Sequence, residues 1–145
     1  IRMHALGYSM GASAVLTTAV TKKTFDRIIV DATFSEVRRV ADQVILRHLG
    51  PLRSPIWAVG PETIEWWTGA DLDAHRPIDH IANIPPEKLL IVHGTSYKII
   101  PFTESVALHQ TTDTKAKFIQ VDDYGHTETI SPPAYAQWLD DFFNP

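Results

Sequence analysis

Apolar positions along the chain fall into short runs separated by helical rhythms. Residues 1 to 6, "IRMHAL", read as a strand running into Gly7, and residues 10 to 20, rich in Ala, Met, Leu and Val, read as a helix. "RIIVDA" (27 to 32) is a β-branched run with polar flanks and the length of a buried strand. Behind it, Val37, Val40, Ala41, Val44, Ile45, His48 and Leu49 keep the i, i+3, i+4 spacing of an amphipathic helix, with Ser35 placed to cap it and Gly50-Pro51 to stop it. "KLLIVHG" (88 to 94) and "KFIQV" (117 to 121) are two more apolar strands. Helices are expected over 102 to 111 and over 133 to 143, the latter with Tyr135, Trp138, Leu139, Phe142 and Phe143 on its apolar side. Strands that are apolar on both faces and alternate with helices predict an α/β domain built on a parallel sheet.

Residues 51 to 87 interrupt the alternation. This stretch is proline-rich and holds Trp57, Trp66 and Trp67, which predicts a small helical, aromatic excursion lying over one edge of the sheet rather than a linker. It could form a hydrophobic lid over a site, or be core.

Composition narrows the partners. The 145 residues are one domain's worth, with 44% hydrophobic residues and a formal net charge of −4. No Lys/Arg cluster exceeds two residues, so nucleic acid and anionic membrane surfaces are disfavoured and small molecules favoured. The chain has no cysteine, which excludes disulfides and thiolate metal sites. No apolar run approaches a membrane span, so an aqueous location is expected, its compartment left open.

The chemistry concentrates at residues 6 to 12, "LGYSMGA". Gly7-Tyr8-Ser9-Met10-Gly11 is a G-x-S-x-G pattern set between an expected strand and an expected helix, the context of a nucleophile elbow. A turn tight enough to project Ser9 strains its backbone and leaves no room for side chains at 7 and 11. The start of the following helix aims free N–H groups, that of Met10 first, at the oxyanion of an acyl intermediate. The glycine pattern is neither a dinucleotide fingerprint nor a P-loop, so no cofactor is implied. His4, His48, His75, His80 and His109 have no metal-ligand spacing, so no metal is expected.

With these residues in view the sequence resembles the α/β-hydrolase family over its whole length. "LGYSMGA" is similar to the family's elbow, "KLLIVHGTSYKIIP" to its seventh-strand segment, "VDDYGHTETI" to the loop after the eighth strand, and "HRPIDHIANI" to the stretch before the seventh strand in serine esterases and peptidase-like members. The resemblance implies that residues 1 to 145 form the C-terminal half of that fold: strands five to eight, flanking helices and the small excursion. It implies Ser9 as nucleophile and His126 as general base, in the order Ser, acid, His, with His93 a packing residue. It also implies that half of the oxyanion hole, from a loop after the third strand, lies outside this sequence. Because the family's strands are ordered 1-2-4-3-5-6-7-8, the strand leading to Ser9 is expected at a sheet edge, where it would self-associate or pair with a missing N-terminal half.

The acid departs from the family pattern. Tyr97 stands where the family places its aspartate, and a phenol titrating near 10 cannot hold a histidine as a carboxylate does. Asp31, at the end of "RIIVDA", is the leading replacement, since some members carry the acid after the sixth strand. Against this stands a purely structural role for Asp31. Asp122 and Asp123 rank lower, being too near His126 in sequence to reach its far side. The expected function is a serine hydrolase cleaving an ester, thioester or amide through an acyl-enzyme, impaired or compensated at its acid. The alternative is a non-catalytic binding or assembly module on the same fold.

Overall fold

A computed structural model of the 145-residue chain describes residues 2–22, 24–41, 43, 60, 63, 65, 66, 69, 71, 73, 76–125 and 128–145. Its frame is a four-stranded, all-parallel sheet in the order β1-β2-β3-β4, with β1 His4–Tyr8, β2 Arg27–Asp31, β3 Leu89–Gly94 and β4 Lys117–Val121. The helices are α1 Met10–Lys22, α2 Pro77–Ile81, α3 Phe102–Thr111 and α4 Ala134–Phe143. Residues 37 to 41 are also helical.

Alternation along β2 and β3 sorts the core into two layers. Ile28, Val30, Leu89 and Ile91 face α1, α2 and α3, meeting Ala12, Leu16, Ile81 and Leu108. Ile29, Leu90 and Val92 face the other way, onto Tyr135 and Phe142 of α4. Every residue of β3 is buried, as expected of a parallel strand covered on both faces. Arg27 ties the far end of α4 to the start of β2: its Nη1 donates to the Phe142 carbonyl at 2.8 Å, and its guanidinium lies 5.1 Å from the Phe142 ring centre. A third cluster, Ala32, Phe34, Tyr97 and Ile100, caps the carboxyl ends of the strands.

β1 ends two residues later than the sequence pattern predicts, because Gly7 and Tyr8 continue the ladder with Val30 and Asp31. β1 pairs only with β2 among the described residues, and Met3, just before it, and Leu6 on it are 46% and 44% exposed. Ser35 does not have the capping role expected of it. Its backbone N–H donates to Glu104 Oε2 at 3.0 Å and its hydroxyl donates to the same oxygen, while the helix beyond opens with Val40 N–H donating to the Glu36 carbonyl. Glu104, buried in the first turn of α3, thus ties that helix to the segment after β2. Most of the expected helix from 42 to 49 and about half of the excursion, Trp57 and Trp67 included, lie outside the described residues; within the excursion, Trp66 is exposed and α2 begins with Pro77 at its first turn.

The two elbow glycines differ in what surrounds them. A Cβ on Gly7 would stand 2.5 Å from Ala12 Cα and 2.7 Å from the Gly11 carbonyl oxygen, both backbone atoms of α1. A Cβ on Gly11 meets nothing within 4 Å among the described residues, so they do not supply the crowding expected at position 11. Gly7→Ala should therefore destabilise by about 1–3 kcal/mol or more, since the helix backbone must move. Gly11→Ala should be neutral or stabilise by about 0.5–1 kcal/mol, a helical glycine gaining a side chain in open space. Urea denaturation of both variants beside the parent chain measures the difference.

Candidate functional site

The site begins where β1 stops. Ser9 follows Tyr8 directly and precedes Met10, the first residue of α1, with φ at +52°, in the left-handed region that non-glycine residues rarely adopt. The turn is held from both sides: Ser9 N–H donates to the Asp31 carbonyl at 2.9 Å, and the Ser9 carbonyl accepts from Ala12 N–H at 3.1 Å. The strained angle expected of an elbow is present, and the side chain is partly exposed at the carboxyl edge of the sheet. Met10, its side chain 76% exposed, opens the 13-residue helix, whose first backbone N–H groups have no intrahelical acceptor.

Asp31 lies one strand over, at the end of β2, and is fully buried. Its Oδ2 accepts two hydrogen bonds, from Thr129 Oγ1 at 3.0 Å and from the Tyr135 hydroxyl at 2.8 Å. Its Oδ1 is buried and has no partner among the described residues. Burial, partly opposed by the two donated bonds, pushes the carboxyl up to about 6. Ala32, next in sequence, also has a positive φ of 54° and donates its N–H to the Val92 carbonyl at 2.9 Å, so the backbone turns sharply at the end of β2 as it does at the end of β1.

Tyr97 is 6% exposed and packs its ring against His93. Its hydroxyl lies 3.2 Å from that of Tyr8, the residue between Gly7 and Ser9. Burial first, then the Tyr8 hydroxyl and the Asp31 charge, push its ionisation far above the ordinary phenol range. Tyr97 is thus a neutral group beside the elbow. His93 is fully buried and bonded at both ring nitrogens, to Ser105 Oγ at 2.5 Å and to the Ile100 carbonyl at 3.1 Å, in keeping with the packing role expected of it.

His126 lies outside the described residues. The loop on either side of it is tied to its neighbours: Thr95 N–H donates to the Val121 carbonyl, Asp123 N–H to Thr95 Oγ1, Ser96 N–H to the Tyr124 carbonyl, and Gly125 N–H to Glu128 Oε2. Three residues past His126, Thr129 reaches Asp31. Gly94 makes this approach possible, since a Cβ there would run into the Tyr124 carbonyl.

Thr129 and Tyr135 are members of the site that the sequence did not mark. Tyr135 reads as one of five apolar residues on the last helix, and only the hydroxyl on an otherwise hydrophobic face could have singled it out. Away from the elbow, the carboxylates of Glu65, Asp71 and Asp73 lie within 4.8 Å of one another, with Arg38 paired to Glu65 at 3.3 Å and to Asp73 at 2.9 Å. The guanidinium offsets part of that cluster's negative charge. No helix among the described residues is long and apolar enough to cross a membrane.

No protein-family model and no curated protein sequence matches the chain. Solved structures do. An esterase domain from a Rhodothermus marinus protein superposes at TM-score 0.60 and 18% identity, covering 97% of this chain and 57% of its own. An esterase of Pyrococcus furiosus gives 0.69 and 16%, covering 98% and 52%. A meta-cleavage product hydrolase from Pseudomonas fluorescens gives 0.67 and 20%, covering 99% and 65%. The chain spans between half and two thirds of the length of these structures. Its four parallel strands and flanking helices form the C-terminal half of an α/β-hydrolase fold.

Proposed function

We propose that this chain carries the nucleophile of a serine hydrolase that cleaves an ester, thioester or amide through an acyl-enzyme. The observation that supports this most is Ser9 itself, a non-glycine residue held at positive φ between a strand end and a helix start. On this reading Ser9 Oγ attacks the acyl carbonyl and His126 takes its proton and returns it to the leaving group. The Met10 N–H, at the start of α1, donates to the developing oxyanion. Asp31 serves as the acid. It sits beside the elbow, it keeps one carboxylate oxygen unpartnered among the described residues, and Tyr97 at the usual acid position cannot ionise. A second reading, a binding or assembly module without catalysis, draws on the same Tyr97, whose bond to Tyr8 fills the elbow's flank.

The exposed outer edge of β1 belongs to this proposal. An edge with no second strand neighbour among the described residues, beside the exposed Met3 and Leu6, favours pairing with another strand, from a second copy or from a preceding half of the hydrolase fold.

A fluorophosphonate probe should label Ser9, and Ser9→Ala should abolish labelling; an unlabelled parent chain favours the binding module.

Asp31→Asn should lower turnover by about 10⁴, the scale of losing a triad acid, with Tyr97→Phe changing it far less. If Tyr97→Asp instead raises activity by orders of magnitude, Asp31 is structural. The two roles also separate in stability. A carboxyl moved from 3.8 to about 6 in the folded chain favours the protonated form, so its contribution is fully present below pH 3.8 and lost as pH rises through 6. The loss amounts to about 3 kcal/mol at about 1.4 kcal/mol per unit. Asp31→Asn should therefore be more stable than the parent at pH 8 while less active, and parent activity should fall as pH drops through 6. Denaturation and pH–rate profiles of the two proteins give both numbers.

Light scattering on the 145-residue chain should report a mass above that of the monomer, reduced by Met3→Lys combined with Leu6→Lys. A monomer with slow amide exchange in residues 4 to 8 would contradict edge pairing.

A further inference from the structure

Two donors converge on one oxygen of Asp31 and leave the other empty. Thr129 Oγ1 and the Tyr135 hydroxyl both bond Oδ2, while Oδ1, in a residue with no exposed surface, has no partner among the described residues. A carboxylate buried only for structural ends is best satisfied when its donors are spread over both oxygens, because an unbonded buried acceptor bears a desolvation cost of about 1–3 kcal/mol. The observed arrangement fixes the rotation of the carboxylate about its Cβ–Cγ bond from two separate elements, the loop after β4 and the start of α4. It points a single free oxygen in a single direction.

We infer that Thr129 and Tyr135 are positioning residues, which clamp Oδ2 of Asp31 so that Oδ1 is presented as the acceptor for the general base of the reaction. The inference rests on the serine-hydrolase reading above. The clamp also explains why the two residues come from chain segments 98 and 104 positions away from Asp31. Thr129 follows the expected base by three residues, so whatever sets the loop sets the acid with it. The other titratable groups around Asp31 among the described residues are phenols: Tyr135 of α4, Tyr97 after β3, and Tyr8 of β1 beyond them. Burial pushes the ionisation of Tyr97 and Tyr135 upward, so the clamp acts through hydrogen bonds and not through a counter-charge. Both bonds favour the ionised carboxylate, and burial opposes it.

The test is the pH dependence of the second-order rate at which a fluorophosphonate probe labels Ser9, in the parent, Tyr135→Phe, Thr129→Val and Thr129→Ser. Loss of one donor should move the acid limb of the profile upward by about one pH unit. It should also slow labelling roughly threefold at pH 6.5, approaching tenfold at about pH 5, with little loss at pH 8.5. Thr129→Ser, which keeps the hydroxyl, should behave as the parent, whereas Thr129→Val should not. A clamp that only stabilised the fold would leave the limb in place. Should Tyr135→Phe fail to fold, the Thr129 pair reads the same quantity. A labelled parent whose limb is unmoved in the folded variants overturns the clamp and leaves the hydrolase reading intact. A parent with no labelling at Ser9 overturns the hydrolase reading and, with it, the catalytic purpose of the clamp.

Discussion

The carboxyl end of β2 is the point on which the site depends. Through its backbone, Asp31 extends the β1–β2 ladder by one bond beyond the strands and holds Ser9 in its left-handed turn. Through its side chain, it gathers Thr129 and Tyr135 from the far end of the chain. One residue thus fixes the backbone of Ser9 and anchors the loop after β4 and the final helix beneath it. Burying a carboxylate to do this opposes folding, and the two layers of apolar side chains on β2 and β3 are what make such a residue tolerable.

The same logic explains the glycines that matter. Gly7 lets α1 return against the strand that precedes it, and Gly94 lets the Tyr124 carbonyl approach the end of β3. Each removes a side chain where two backbones meet, and each meeting lies at the carboxyl edge of the sheet. Among the described residues Gly11 has no such task, although the G-x-S-x-G spacing names it equally. The motif marks a local conformation at Ser9 more faithfully than it marks crowding.

Most of the fold was legible because parallel strands buried on both faces are written as continuous apolar runs. "RIIVD", "LLIVHG" and "KFIQV" appear in the sequence almost as they stand in the sheet, and the rhythms of α1, α3 and α4 are equally direct. Ser9, Tyr97 and Asp31 were legible as residues at strand ends. What the sequence did not show are the bonds between distant segments. Ser35 has the composition of a cap, yet Glu104, 69 positions away, takes its hydroxyl. Tyr135 reads as core, and its ring is core; its hydroxyl matters only once α4 is laid against the end of β2. Local pattern reports which faces are buried, and it is silent on which polar atom of a buried face meets which partner.

Tyr97 follows from the number of charges the site can hold. Asp31 and Tyr97 are near enough for the carboxylate's charge to push the phenol's ionisation upward. An aspartate at 97 would place a second acid in that low-dielectric space, where each negative charge disfavours the other. A tyrosine keeps the volume, packs its ring on His93, and finds the Tyr8 hydroxyl for its own. It stays neutral as Asp31 becomes charged near pH 6. The phenol at 97 therefore brings no second carboxylate near Asp31, and Tyr8, inside the elbow motif, is the residue whose hydroxyl meets it.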